Sequence, residues 1–238
     1  MSEHSNTPET PAIQPRHVFS SLPKYAAGKP PTPVEGLKQY KLSSNENPHG
    51  PIPEVARILA EFDATHRYPD PLSTKLRTAL AHRLGVDAHN IVTGAGSLGA
   101  LNQILKAFAG ASLDGTQDEV IYAWRSFEAY PILVGLLGAK SVQIPNLPNG
   151  AHDLNAMAQA VTDRTRVILV CTPNNPTGPA VTEAQMREFL TKIPENVVVV
   201  IDEAYYEFCT ASTVPAGQNA PVNGLNLLND HPNVIVLR

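Results

Sequence analysis

Cysteine, charge and long apolar runs are all in short supply in this chain. Only two of its 238 residues are cysteines, Cys171 and Cys209, in no metal-binding spacing, which leaves no metal site to expect and no disulfide-stapled scaffold. A single disulfide between them is open on number alone. Residues 1–17, MSEHSNTPETPAIQPRH, lack the basic start and apolar stretch of a secretory signal, so reduced thiols in the cytoplasm are the expectation. No apolar run approaches the ~20 residues of a membrane span. Charged residues make up 17% of the chain, against roughly 25% in an average soluble protein. With a formal net charge of -4, neither nucleic acid nor an anionic membrane is an expected partner. Internal repeats are absent too.

Proline, by contrast, is abundant at 22 residues. It clusters in residues 8–33 and again in Asn47-Pro48-His49-Gly50-Pro51-Ile52-Pro53. Such segments extend or turn, because proline fixes φ and disfavours helix at the residue before it. The first 50 or so residues therefore read as a wrapping arm, with a polar, disordered start.

From Pro53 onward helical and strand patterns alternate. Helical spacing covers residues 53–63, 72–84 (closed by Gly85), 98–109, 127–137, 153–161, 182–191 and 222–229. Strand patterns cover 90–93, 119–124, 140–144, 166–171, 197–202 and 233–237. Runs such as Val167-Ile168-Leu169-Val170 and Val197–Ile201 show no apolar-polar alternation. A sheet covered by helices on both faces demands this, so the fold class is α/β with a mostly parallel sheet.

Gly94-Ala95-Gly96-Ser97-Leu98-Gly99 follows one expected strand and opens a helix. Glycines there let the backbone approach a phosphate, and free N–H groups at the helix start bind it. Three readings stand: a dinucleotide loop, a turn with no ligand, and a site for another phosphate group. The dinucleotide reading needs an acid at the far end of the next strand, but Asp118 and Glu119 lie at its beginning, the wrong edge of the sheet. That disfavours an NAD-binding oxidoreductase and leaves another phosphate as the best occupant.

Ligands of open parallel sheets bind at the carboxyl ends of strands. Three such ends carry polar clusters: Arg125-Ser126-Phe127-Glu128-Ala129-Tyr130, Thr172-Pro173-Asn174-Asn175-Pro176-Thr177-Gly178 and Asp202-Glu203-Ala204-Tyr205. Asp202 follows an apolar β-branched run, where a carboxylate is costly unless it meets a cation. A protonated pyridine ring is one such cation; capping a following helix is the competing role. The Asn-Asn-Pro-Thr-Gly stretch suits a turn, or an amide aimed at a ligand oxygen. Phe127 suits either core or a stack on a flat ring.

Together these segments resemble the fold-type-I aminotransferases dependent on pyridoxal 5'-phosphate (PLP), in the branch of histidinol-phosphate and aromatic amino acid aminotransferases. The resemblance covers residues 35–238 and also rests on Leu42-Ser43-Ser44-Asn45-Glu46-Asn47-Pro48 and His66-Arg67-Tyr68-Pro69-Asp70. It implies a disordered tail over 1–34, an N-terminal arm and small-domain segment over 35–70, and a PLP-binding large domain over 71–238. It assigns the cofactor phosphate to Ala95, Gly96 and Ser97, the ring face to Phe127, the phenolic oxygen to Asn175 and Tyr205, and the ring nitrogen to Asp202. Tyr68 would reach the cofactor of a neighbouring subunit in a homodimer, and Asn45 and Asn47 would close over substrate. The implied reaction passes an amino group from an amino acid, through PLP, to a 2-oxo acid such as 2-oxoglutarate. The stretch 123–130 resembles the aromatic members, with histidinol phosphate as the alternative donor.

In the family a Ser-Lys pair follows the strand equivalent to 233–237, and that lysine holds PLP as a Schiff base. Here the last lysine is Lys192, and the chain stops at Arg238. Neither Lys192, at a helix end, nor Lys75 or Lys106, on helices, fits the role, so no catalytic residue is assigned. The expectation is a C-terminally truncated member without its small C-terminal domain. It would be catalytically dead alone, would hold PLP without a covalent bond, and would expose apolar surface.

Overall fold

The two longest β-branched runs lie at the centre of a sheet, where both faces of a strand are covered. The computed structural model describes residues 16–23, 29, 31–41, 44–209 and 220–238. The helices are α1 (Val18–Ser21), α2 (Pro53–Glu61), α3 (Thr74–Leu84), α4 (Gly96–Phe108), α5 (Ala129–Leu136), α6 (Leu154–Gln159) and α7 (Glu183–Leu190). The strands are β1 (Glu119–Trp124), β2 (Lys140–Pro145), β3 (Thr165–Cys171), β4 (Val198–Asp202) and β5 (Val234–Leu237). They form one sheet in the order β2-β1-β3-β4-β5, with every pair parallel.

Alternate residues of β3 serve opposite faces. Ile168 and Val170 join Ile121, Val199 and Ile201 against Met157 of α6 and Met186 and Phe189 of α7. Val167 and Leu169 join Val120, Tyr122 and Val200 against Leu101 and Leu105 of α4 and Tyr130 and Val134 of α5. Both layers are apolar, which is why the strand shows no polar alternation. The helix of this core with the most complete start is α7. Thr182 accepts from the Gln185 amide at 3.3 Å while the Gln185 side chain accepts from the Thr182 amide at 2.9 Å. Thr182→Ala is expected to lower stability by about 1 kcal/mol, read as an earlier urea midpoint at unchanged slope.

The chain divides into two compact units, residues 24–95 and residues 1–23 with 96–238. In the smaller unit Asp70 accepts from the amides of Leu72 (3.0 Å) and Thr74 (2.7 Å), fixing the start of α3. Gly85, at φ +70°, closes that helix in the left-handed conformation that glycine adopts most easily. In the larger unit α1 lies against α5, with Leu22 beside Gly135 and Arg16 donating to the Leu136 carbonyl at 3.2 Å. Of the tail expected over 1–34, residues 1–15, 24–28 and 30 lie outside the described residues, as do Leu42 and Ser43 of the first motif.

Two expected elements differ. Residues 90–93 are no strand: Ala88–Asn90 form a 3-10 turn, and Ile91 is extended but outside any ladder. Val92, 71% exposed, shows the reason, since a β-branched run needs a pairing partner to become a strand. The helix expected at 222–229 shortens to a 3-10 turn at Gly224–Leu227. Cys171 and Cys209 are both free thiols. No helix among the described residues is long and apolar enough to cross a membrane.

Candidate functional site

Parallel strands bring their carboxyl ends to one edge, and the polar clusters of β1, β3 and β4 meet there. Cys171 pairs in register with Asp202, and the Thr172 amide donates to the Asp202 carbonyl at 2.9 Å. Asp202 is 4% exposed. Its Oδ2 accepts from the Tyr130 hydroxyl at 2.6 Å and its Oδ1 from the Ala204 amide at 3.2 Å. Among the described residues no cation pairs with it. Burial raises its carboxyl above the ordinary range, with the Tyr130 and Ala204 hydrogen bonds acting in the opposite direction. Capping is thus a partial account of Asp202: the Ala204 bond is a local turn contact, and the next element along the chain is only a short 3-10 turn at Tyr206–Phe208.

The adjacent asparagines have separate tasks. Asn174 is buried and belongs to the scaffold: its amide nitrogen donates to the Arg125 carbonyl (2.9 Å) and Thr177 Oγ1 (2.7 Å), and its oxygen accepts from Ser126 (2.7 Å). This ties the end of β1 to the end of β3. Asn175 is half-buried and donates to the Tyr205 hydroxyl at 3.3 Å, so the two groups assigned to one ligand oxygen stand together beside Asp202. Phe127 is also half-buried, with its ring set edge-on to Tyr130 at 5.6 Å and 89°. One face of its environment is core, so the core and stacking roles are compatible.

Gly96 and Ser97 open α4, which runs back toward the start of β1, where Gly110 and Asp118 hydrogen-bond each other. The amino end of α4 therefore faces the same edge as Asp202. Gly96 has φ +66° with nothing within 4 Å of where a Cβ would lie, so its backbone is open to a ligand. Ala95 is the last residue of the smaller unit, which also carries Asn45, Asn47 and Tyr68. Within that unit Tyr68 is wholly exposed and Asn45 adopts a left-handed φ of 51°. At the opposite edge Glu119 takes Lys140 (2.8 Å) and Thr162 (2.7 Å), a structural role that ends its candidacy as a ribose ligand. Lys192 is bound to Glu188 and Asn155 past the end of α7, away from the strand-end cluster.

Sequence reading left two of these groups without a role. Tyr130 was visible only as the end of a motif, and its bond to Asp202 spans 72 residues. Cys171, 2% exposed, has its thiol pushed up to about 12, chiefly by burial and then by the Asp202 charge, and so stays neutral.

A buried carboxylate with no cation among the described residues, an amide and a phenol hydrogen-bonded to each other, and an open helix start form a donor set suited to PLP: acid for ring nitrogen, amide and phenol for ring oxygen, N–H groups for phosphate. Comparison with known proteins agrees. Residues 38–238 match the family model "Aminotransferase class I and II". The chain is 46% identical over 224 residues to an aromatic amino acid aminotransferase of Streptomyces coelicolor, covering 94% of this chain and 59% of that protein. It is 47% identical to the Thermobifida fusca protein of that name, over 94% of this chain and 58% of the other. The chain thus spans less than two thirds of the length of these relatives. A crystal structure of histidinol-phosphate aminotransferase from Sinorhizobium meliloti with pyridoxal-5'-phosphate superposes with a TM-score of 0.68 at 27% identity, over 81% of this chain and 49% of that one.

Proposed function

The chain belongs to the class I and II aminotransferases, and from that membership we propose that its strand-end cluster holds PLP and serves transamination between an aromatic L-amino acid and a 2-oxo acid such as 2-oxoglutarate. The observation that carries the proposal is Asp202, a buried carboxylate paired with no cation among the described residues. The aromatic donor is favoured by the names of relatives at 46% and 47% identity.

Asp202 holds a proton on the ring nitrogen through charge and hydrogen bonding. Bound there, the cofactor supplies an electron-withdrawing ring that takes up the charge left when an amino acid's Cα loses its proton. Asn175 and Tyr205 orient the ring by its phenolic oxygen, Phe127 covers one face and excludes water, and the N–H groups of Ala95 and Gly96 with Ser97 bind the phosphate. Residues 35–70 form an N-terminal arm whose Asn45 and Asn47 bind substrate, and residues 71–238 form the PLP-binding large domain. Tyr68 serves the phosphate of a second subunit in a homodimer, and the protein works in the cytoplasm.

The test is a transamination assay of the full gene product with L-phenylalanine, L-tyrosine and histidinol phosphate as donors and 2-oxoglutarate as acceptor. Aromatic donors are expected to exceed histidinol phosphate in kcat/KM by at least about tenfold, the worth of ~1.4 kcal/mol in the transition state. The reverse preference would move the protein to the histidinol-phosphate group.

A further inference from the structure

Tyr130 joins two groups that the proposed cradle assigns to the cofactor ring. Its side chain is fully buried, and its hydroxyl donates to Asp202 Oδ2 at 2.6 Å. Its ring meets Phe127 edge-on at 5.6 Å on one side and Tyr122 of β1 at 5.6 Å and 67° on another. Packed in this way, the phenol cannot swing away from the carboxylate. The other oxygen, Asp202 Oδ1, takes only the longer Ala204 bond among the described residues.

We propose that Tyr130 is a positioning residue for the cofactor ring: its hydroxyl occupies Oδ2 of Asp202 and leaves Oδ1 for the ring nitrogen, while its ring sets the angle at which Phe127 meets the ring face. The inference rests on PLP occupying this cradle. It goes further by naming a residue that touches no cofactor atom yet orients two that do.

A pH signature arises from the groups around Asp202. Tyr130 comes from α5 and Cys171 from β3. Burial holds the Tyr130 phenol well above its ordinary range, and the Cys171 thiol is pushed up to about 12. Glu203, next along the chain, is engaged by Arg238 and the Gly224 amide. Burial raises the carboxyls of both Asp202 and Glu203, and Asp202 is the one that the Tyr130 hydroxyl touches. The Tyr130 hydrogen bond favours its charged form against the effect of burial. Removing that hydroxyl leaves Asp202 protonated to higher pH, where it cannot hold a protonated ring nitrogen.

The experiment titrates PLP into the wild-type chain, Tyr130→Phe, Asp202→Asn and the double variant between about pH 5.5 and 8.5, following cofactor absorbance and protein fluorescence. Tyr130→Phe keeps the ring and its packing, and a far-UV spectrum checks that the fold is kept. Expected at neutral pH is a roughly five- to tenfold loss of affinity, the worth of one ordinary hydrogen bond. The acid limb of binding should also move to higher pH. In the Asp202→Asn background the same change should have almost no effect, as coupled residues require. Wild-type affinity with an unmoved acid limb in Tyr130→Phe, or an equal loss in both backgrounds, would overturn the positioning role while leaving the cradle intact. Absence of PLP binding by the wild-type chain would overturn the cradle as well.

Discussion

Asp202→Asn is expected to weaken PLP binding by about two orders of magnitude and yet to leave the cofactor-free chain more stable than the wild type. Both effects come from one cause. A carboxylate that is 4% exposed and has no cation beside it among the described residues is a costly group until a cation arrives. Asparagine still accepts from Tyr130 or Ala204 but carries no charge, so it cannot hold a proton on the ring nitrogen. Loss of a buried charge-assisted contact is worth roughly 2–3 kcal/mol, about 30- to 150-fold in affinity. The stability effect has a definite sign with pH. Burial raises the folded-state carboxyl above its unfolded value, so the folded chain binds this proton more tightly than the unfolded one. The contribution of Asp202 is therefore most favourable below the unfolded value, and is lost as pH rises through the raised folded one. Thermal melts of the cofactor-free chain should show that slope in the wild type and a shallower one in Asp202→Asn. Equal PLP affinity for the two proteins would remove the cation-binding role of Asp202.

Glu203→Ala is expected to cost about 3–5 kcal/mol, the usual result of breaking a buried ion pair on one side. Glu203 is fully buried, and its two oxygens take the Gly224 amide at 2.7 Å and the Arg238 guanidinium at 2.8 Å. Arg238 is held in turn by Asn223 at 2.7 Å and lies over the Tyr206 ring at 3.8 Å. A Cβ on Gly224 would come within 2.7 Å of Val236 and 3.3 Å of Glu203, so the backbone approach that makes this contact requires glycine. Removing the carboxylate leaves the Gly224 amide and a mostly buried guanidinium without their acceptor. In a domain of this size the loss corresponds to a fall in Tm of roughly 6–20 °C. Glu203 also fixes the segment that carries Tyr205, so PLP affinity should drop with stability. A variant melting within about 2 °C of the wild type, less than ~1 kcal/mol, would show that the pair contributes little.

The parts of this molecule that depend on local pattern were legible in its sequence, and the parts that depend on pairing were not. Continuous β-branched runs gave β3 and β4 because both faces of the central strands are apolar. The same residue types at 90–93 gave no strand, since periodicity reports which faces are apolar and says nothing about a hydrogen-bonding partner. Asp202 stood out as a charge at the end of an apolar run. Its partner did not, because a tyrosine 72 residues away is brought there by the packing of α5 on the sheet. Adjacent asparagines are indistinguishable on paper, yet Asn174 ties two strands together and Asn175 faces Tyr205. The Glu203–Arg238 pair was equally hidden, as its members sit at the ends of strands that become neighbours only in the sheet.

The central claim, that the carboxyl ends of β1, β3 and β4 form the PLP cradle, is tested most directly by a crystal structure of the chain grown with PLP. The expected result is the ring against Phe127, its nitrogen within hydrogen-bonding distance of Asp202 Oδ1, its phenolic oxygen at Asn175 and Tyr205, and its phosphate at the start of α4. A ring bound elsewhere, or Asp202 still bonded only to Tyr130 and Ala204 at saturating PLP, would contradict it.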